Sequence, residues 1–125
     1  MGLDMYAYTA PSDLIGASTD IDLEDLRGVE RLHYWRKHPN LHGWMEALYR
    51  IKGGKAEVFN CVSVRLATED LDALEQAVLE DRLPQTTGFF FGESRPEEKE
   101  VDLAFIAKAR IALKEGKAVL YDSWW

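Results

Sequence analysis

Apolar positions along this chain recur with two different periods, and the switches between them mark its elements. Leu3 to Thr9 alternates apolar and small polar residues, which predicts a short strand. Val29 to Arg36 predicts a second strand, with Val29, Arg31, His33 and Trp35 on one face and Glu30, Leu32, Tyr34 and Arg36 on the other. After Pro39 the period lengthens. Leu41, Trp44, Met45, Leu48 and Tyr49 fall three and four apart, one apolar stripe of a helix over 39–52 that Gly53-Gly54 ends. Val58, Val62, Val64 and Leu66 return to alternation and predict a strand over 58–66. Thr68 as N-cap, acids after it and Leu71, Leu74 and Val78 predict a helix over 69–82, stopped by Pro84. Gly88-Phe89-Phe90-Phe91-Gly92 reads as a strand covered on both sides.

A last helix is expected over 96–115. Its first turns carry Glu97, Glu98, Glu100 and Asp102 and its far end Lys108, Arg110 and Lys114, matching the helix dipole at both termini. Val101, Phe105, Ala109, Ala112 and Leu113 would line its inner side, and Gly116 suits the position just past its end. Ala118 to Tyr121 predicts the final strand, followed by Ser123-Trp124-Trp125. The expected class is therefore α+β: three helices with a mixed or mainly antiparallel sheet of about five short strands. Residues 10–28, polar, acidic and punctuated by Pro11, Gly16 and Gly28, read as a mobile loop.

A length of 125 residues fits one domain over 1–125 that folds without disulfides or metal. The single Cys61 can form no intramolecular disulfide, which points to a reducing, cytoplasmic setting. Met1-Gly2-Leu3-Asp4-Met5-Tyr6 has no basic segment before a long apolar core, so no signal peptide is expected, and no apolar run suits a membrane span.

Net charge is −7, but its distribution says more. Residues 1–28 hold six acids and one base, and 56–83 hold seven acids and two bases; 29–55 reverse this with six bases against Glu30 and Glu46. The acidic total argues against general nucleic-acid binding, which depends on neutralising phosphates. The basic band can serve a local anion, or simply balance its acidic neighbours.

The densest chemistry lies in Tyr34-Trp35-Arg36-Lys37-His38-Pro39-Asn40-Leu41-His42-Gly43-Trp44. His38 and His42 have the spacing of two metal ligands on a helix, but Pro39 biases His38 away from helical geometry, and no Cys pair or HExxH completes a set; no metal or other cofactor is expected. Cys61 in a predicted strand reads as a small buried apolar group, not a nucleophile. Asp4 and Asp122 lie in strands near the two ends and would face one site if those strands are neighbours; strand-end bonds are the simpler role. There is neither GxGxxG nor GxxxxGK[ST], which disfavours nucleotide enzymes of those kinds.

Met1-Gly2-Leu3-Asp4-Met5-Tyr6, Tyr34-Trp35-Arg36-Lys37 followed by His42 and Trp44, and Gly88-Phe-Phe-Phe-Gly92 together resemble a family of small phage and bacterial proteins. That family opens with an MGLDMY-like strand, continues through YWRK and a His-containing helix, and has a GFFFG-type strand. The resemblance leaves out the acidic loop 10–28. It implies an accessory protein and carries no mechanism.

Two functional classes follow. The first is a non-catalytic binding module for a protein partner or a small anionic ligand, contacted by Tyr34, Arg36, Lys37, His42 and Asp4. The second is a small hydrolase of phosphorylated or nucleotide-like substrates, with His42 as acid/base and Arg36 and Lys37 as anion clamps. The missing nucleophile–base pair favours the first.

Overall fold

The structure is a computed structural model that describes residues 2–125. Four strands, β1 (Asp4–Pro11), β2 (Glu30–Arg36), β3 (Val64–Leu66) and β4 (Lys117–Trp124), form one antiparallel sheet in the order β2-β1-β4-β3. Three helices, α1 (Pro39–Ile51), α2 (Thr68–Leu79) and α3 (Glu98–Lys114), complete the α+β domain. Among the described residues no helix is long and apolar enough to cross a membrane.

The alternation in β1 divides the molecule. Leu3, Met5 and Ala7 point to the helical side, where they join Trp35, Val119 and Tyr121 and the helix residues Leu41, Met45, Leu71, Leu74, Phe105 and Ile106 in one core. Asp4, Tyr6 and Tyr8 face the other way beside Tyr34 and Arg36. In β2 the expected faces hold for His33 and Trp35 against Tyr34 and Arg36. A register shift at Ala7/Tyr8 leaves Leu32 as an extra residue, which turns it to the core as well. Its carbonyl accepts a bond from Lys108 Nζ.

The helices lie where the period placed them, because their signals are local: Pro39 opens α1, and acids sit in the first turns of α2 and α3. The cap of α2 differs. Thr68 is already helical, and the carboxylate of Asp70 accepts the Ala67 N–H at 2.7 Å.

Two strand expectations fail. Only Val64–Leu66 of 58–66 is a strand, since Cys61 takes φ of 58° and Val58 is exposed. Cys61 is therefore exposed and not a buried core thiol. The segment 88–92 is a turn closed by Phe91 N–H to Gly88 O, with Phe90 at φ 65° and Gly92 at φ 70°. Left-handed dihedrals end a strand, so Phe91 alone is buried while Phe89 and Phe90 face solvent. The sheet accordingly has four strands and not five.

The acidic loop is also tied down. Ser12–Leu14 form a 3-10 turn; Ile15 is buried with Ala10, Ala118 and Leu120 on the outer sheet face, and Ile21, Leu23 and Leu26 pack around them. Asp20 N–H to Ser63 O and Arg65 N–H to Ser18 O hold it to the β3 edge.

Candidate functional site

The turn from β2 into α1 gathers most of the expected residues, but splits them into three environments. On the outer sheet face, Asp4 accepts hydrogen bonds from Tyr34 Oη at 2.6 Å and Arg36 Nη1 at 3.2 Å. The bond to Asp4 raises the Tyr34 pKa, because ionising the phenol would lose it and set two anions together. Asp4 and Asp122 do lie on neighbouring strands, yet Asp122 is opposite Tyr6, two residues along, and holds the N–H of Ser123. Each acid thus has its own local partner.

Lys37 occupies the turn itself at φ 58°, its N–H bonded to Leu3 O. Its stem passes so close to Gly92 that a Cβ there would sit 3.0 Å from Lys37 Cδ; one on Gly2 would sit 2.8 Å from Arg36 Nη2. Side chains at either position would displace the two cations. Lys37 then lines a hollow of about 750 Å³ with Arg36, Gly92, Glu93, Ser94, Arg95, Pro96 and Glu98. Among the described residues Lys37 and Arg95 enter no ion pair.

His42 lies elsewhere. It is 1% exposed, packed among Phe59, Phe91, Tyr121 and Trp125, with Nδ1 hydrogen-bonded to Tyr121 Oη at 2.7 Å. Burial drives its pKa down to about 4. The expectation that it reaches a ligand at the helix start is corrected: one step off the stripe still faces inward, because β4 and the 58–63 segment cover that side of α1.

The pH dependence of stability follows. Between pH 4 and 6.5 the unfolded chain protonates His42 and the fold does not, so this group makes stability fall as pH drops. Asp122, pushed by burial to about 6 from 3.8, keeps a proton the unfolded chain sheds, so its contribution falls as pH rises. The two oppose each other over most of that window. Asp122→Asn should therefore steepen the loss of melting temperature on acidification relative to the parent. Parallel profiles from thermal unfolding at a series of pH values would contradict this.

The feature that sequence reading missed is beside Lys37. His38, at the N-cap of α1 and 2% exposed, links two distant segments. Asn40 N–H donates to Ser94 Oγ at 3.0 Å, and Ser94 Oγ donates to His38 Nδ1 at 2.7 Å. His38 Nε2–H donates to Asp102 Oδ2 at 2.8 Å, and Trp35 Nε1–H to Asp102 Oδ1 at 3.2 Å. Ser94 so serves as the cap that α1 lacks locally, since His38 makes no capping bond. Glu98, one turn before Asp102 on α3, is half-buried; burial pushes its carboxyl up, and Asp102 adds to this. A cavity of about 250 Å³ opens here, lined by His38, Asn40, Ser94, Arg95, Glu98, Lys99 and Asp102 among others. One signal was available: Asp102 lies three and four residues before Phe105 and Ile106, on the buried stripe where Val101 was expected, and Val101 is exposed.

The site thus belongs to a small antiparallel α+β domain whose β2–α1 corner meets the start of α3. Neither a protein-family model, nor a curated protein, nor a solved structure matches this chain.

Proposed function

We propose that this protein is a binding module for a small anionic ligand, or for the acidic group of a protein partner, seated between Lys37 and Arg95. The observation that carries the reading is that these two cations line one hollow without entering an ion pair among the described residues. Arg36 stands at its edge, already engaged by Asp4. A planar guanidinium and a flexible ammonium together suit a carboxylate or phosphate. Glu93 and Glu98 on the rim limit the excess positive charge. They favour a ligand with one compact anionic group over a polyanion, as does the net charge of −7. Tyr34 and Asp4 act by holding Arg36, and His42 takes no part.

Titration with inorganic phosphate, nucleoside monophosphates and acidic peptides, followed by amide NMR, tests the proposal. Saturable shifts at Lys37, Gly92 and Arg95 are expected, weakened about tenfold or more in Lys37→Glu by reversing a contacting charge. Shifts absent from this corner with every probe would end it.

A second reading, a hydrolase, rests on the chain Ser94–His38–Asp102, and moves the acid/base role from His42 to His38. The ring is used in reverse of the serine-protease arrangement, with the carboxylate on Nε2 and the hydroxyl on Nδ1. Ser94→Ala separates the roles. As a helix cap, its loss should cost about 1–2 kcal/mol of stability. Turnover of p-nitrophenyl esters or phosphates that Ser94→Ala abolishes would establish the hydrolase; no turnover by the parent would remove it.

A further inference from the structure

We propose that His38, Glu98 and Asp102 form a binding site for one divalent transition-metal ion of the zinc class. A ring nitrogen of His38 and a carboxylate oxygen from each acid lie within 4.8 Å of one another. The His38 and Asp102 atoms are 2.8 Å apart. Two ligands about 2.0–2.2 Å from a shared tetrahedral ion would be separated by roughly 3.3 Å, so this edge needs only a small opening. Glu98 and Asp102 are four apart on α3, on one face of the helix, and His38 meets them from the start of α1.

Three further observations point to an ion and not only to a buried hydrogen-bonded pair. The outer bonds a metal site requires are in place: Ser94 Oγ at His38 Nδ1 and Trp35 Nε1 at Asp102 Oδ1 fix both groups from behind. With the ion on Nε2, the ring carries its proton on Nδ1 and donates it to Ser94 Oγ. That oxygen has a second lone pair for the Asn40 N–H, so the cap of α1 survives. Second, the Glu98 carboxylate, though half-buried, receives no hydrogen bond among the described residues, which leaves it available as a ligand. Third, the cavity of about 250 Å³ reaches all three residues, so a water or an incoming group can complete the coordination.

The donor set selects the ion. Calcium and magnesium take oxygen donors, whereas one imidazole with two carboxylates suits zinc and its borderline neighbours. The site shares Glu98 with the anion hollow, but it does not depend on anion binding there.

Calorimetric titration of Zn²⁺ alone into the full chain, freed of metal by chelation, tests the proposal. One ion per chain is expected, with a raised melting temperature through preferential binding to the fold. Glu98→Gln should weaken binding by about tenfold or more and leave the metal-free melting temperature unchanged, since no hydrogen bond is lost. In ¹⁵N spectra of the histidine rings, His38 Nε2 should shift on zinc addition while His33 and His42 stay put. Exposed Cys61 is the obvious competing ligand, so Cys61→Ser should bind as the parent does. The proposal is overturned by no binding, by full affinity in Glu98→Gln, by loss of binding in Cys61→Ser, or by shifts at His33 alone.

Discussion

Asp102→Ala is expected to lower stability by about 2–5 kcal/mol, because it leaves two buried donors unsatisfied at about 1–3 kcal/mol each. Asp102 and His38 side chains are 1% and 3% exposed, so both ends of the bond lie out of bulk solvent. The change strands two donors at once, His38 Nε2–H and Trp35 Nε1–H, and each stranded polar group carries its own desolvation penalty. It also loosens His38 from Ser94, and with it the start of α1. For a domain with a margin of about 5–15 kcal/mol the effect should be plain in urea unfolding. The contrast is Glu98→Ala, four residues earlier, whose loss should be small. Removing both partners in Asp102→Leu/His38→Phe should cost less than the sum of the two single changes, because only Trp35 Nε1–H is then left without its acceptor. A loss below about 1 kcal/mol for Asp102→Ala would mean that water enters and that the pair is not buried in solution.

The second large effect separates two adjacent indoles. Trp125→Ala should cost roughly 2–4 kcal/mol, somewhat less than a fully buried tryptophan because the ring keeps some solvent contact. Its ring meets Phe91 edge-on with centroids 5.0 Å apart and lies against His42, and its Nε1 donates to Phe59 O at 2.9 Å. Asn60 clasps its main chain from both sides, donating to the Trp125 carbonyl and accepting from its N–H. Trp124 is the opposite case. Although it belongs to β4 and lies opposite Asp4, it is 64% exposed, and Trp124→Ala should change stability by no more than about 0.5 kcal/mol. Thermal or urea unfolding of the two variants decides the matter. Equal losses would mean that Trp124 is covered in solution, most simply by a partner on the outer sheet face.

The helices were legible because their causes lie within a few residues of their effects. Leu41, Met45, Leu48 and Tyr49 are buried on α1 as the stripe requires, and Leu71, Leu74 and Val78 on α2. Trp44 is the partial exception, at the edge of the core. The strands at β1 and β2 were legible for a related reason: a clean alternation such as Leu3, Met5, Ala7 has only one way to bury its apolar half. The run at 88–92 failed because aromatic content signals burial without saying what supplies it. Phe91 finds a place against His42 and Trp125, while Phe89 and Phe90 meet edge to face and stay exposed.

What the sequence determined by itself is the three helices, the α+β class and the basic turn at Arg36 and Lys37, all set by dihedral preference, period and charge within short spans. The tertiary structure alone decided which polar residues meet. His38 and Asp102 are 64 positions apart and His38 and Ser94 are 56 apart, and no local rule relates them. His42 likewise became a core residue only when Tyr121 and Phe59, from β4 and the segment before β3, closed over it. A side chain's period places it on a face of its own element; whether that face meets solvent, a carboxylate or an aromatic ring depends on packing between segments far apart in the chain.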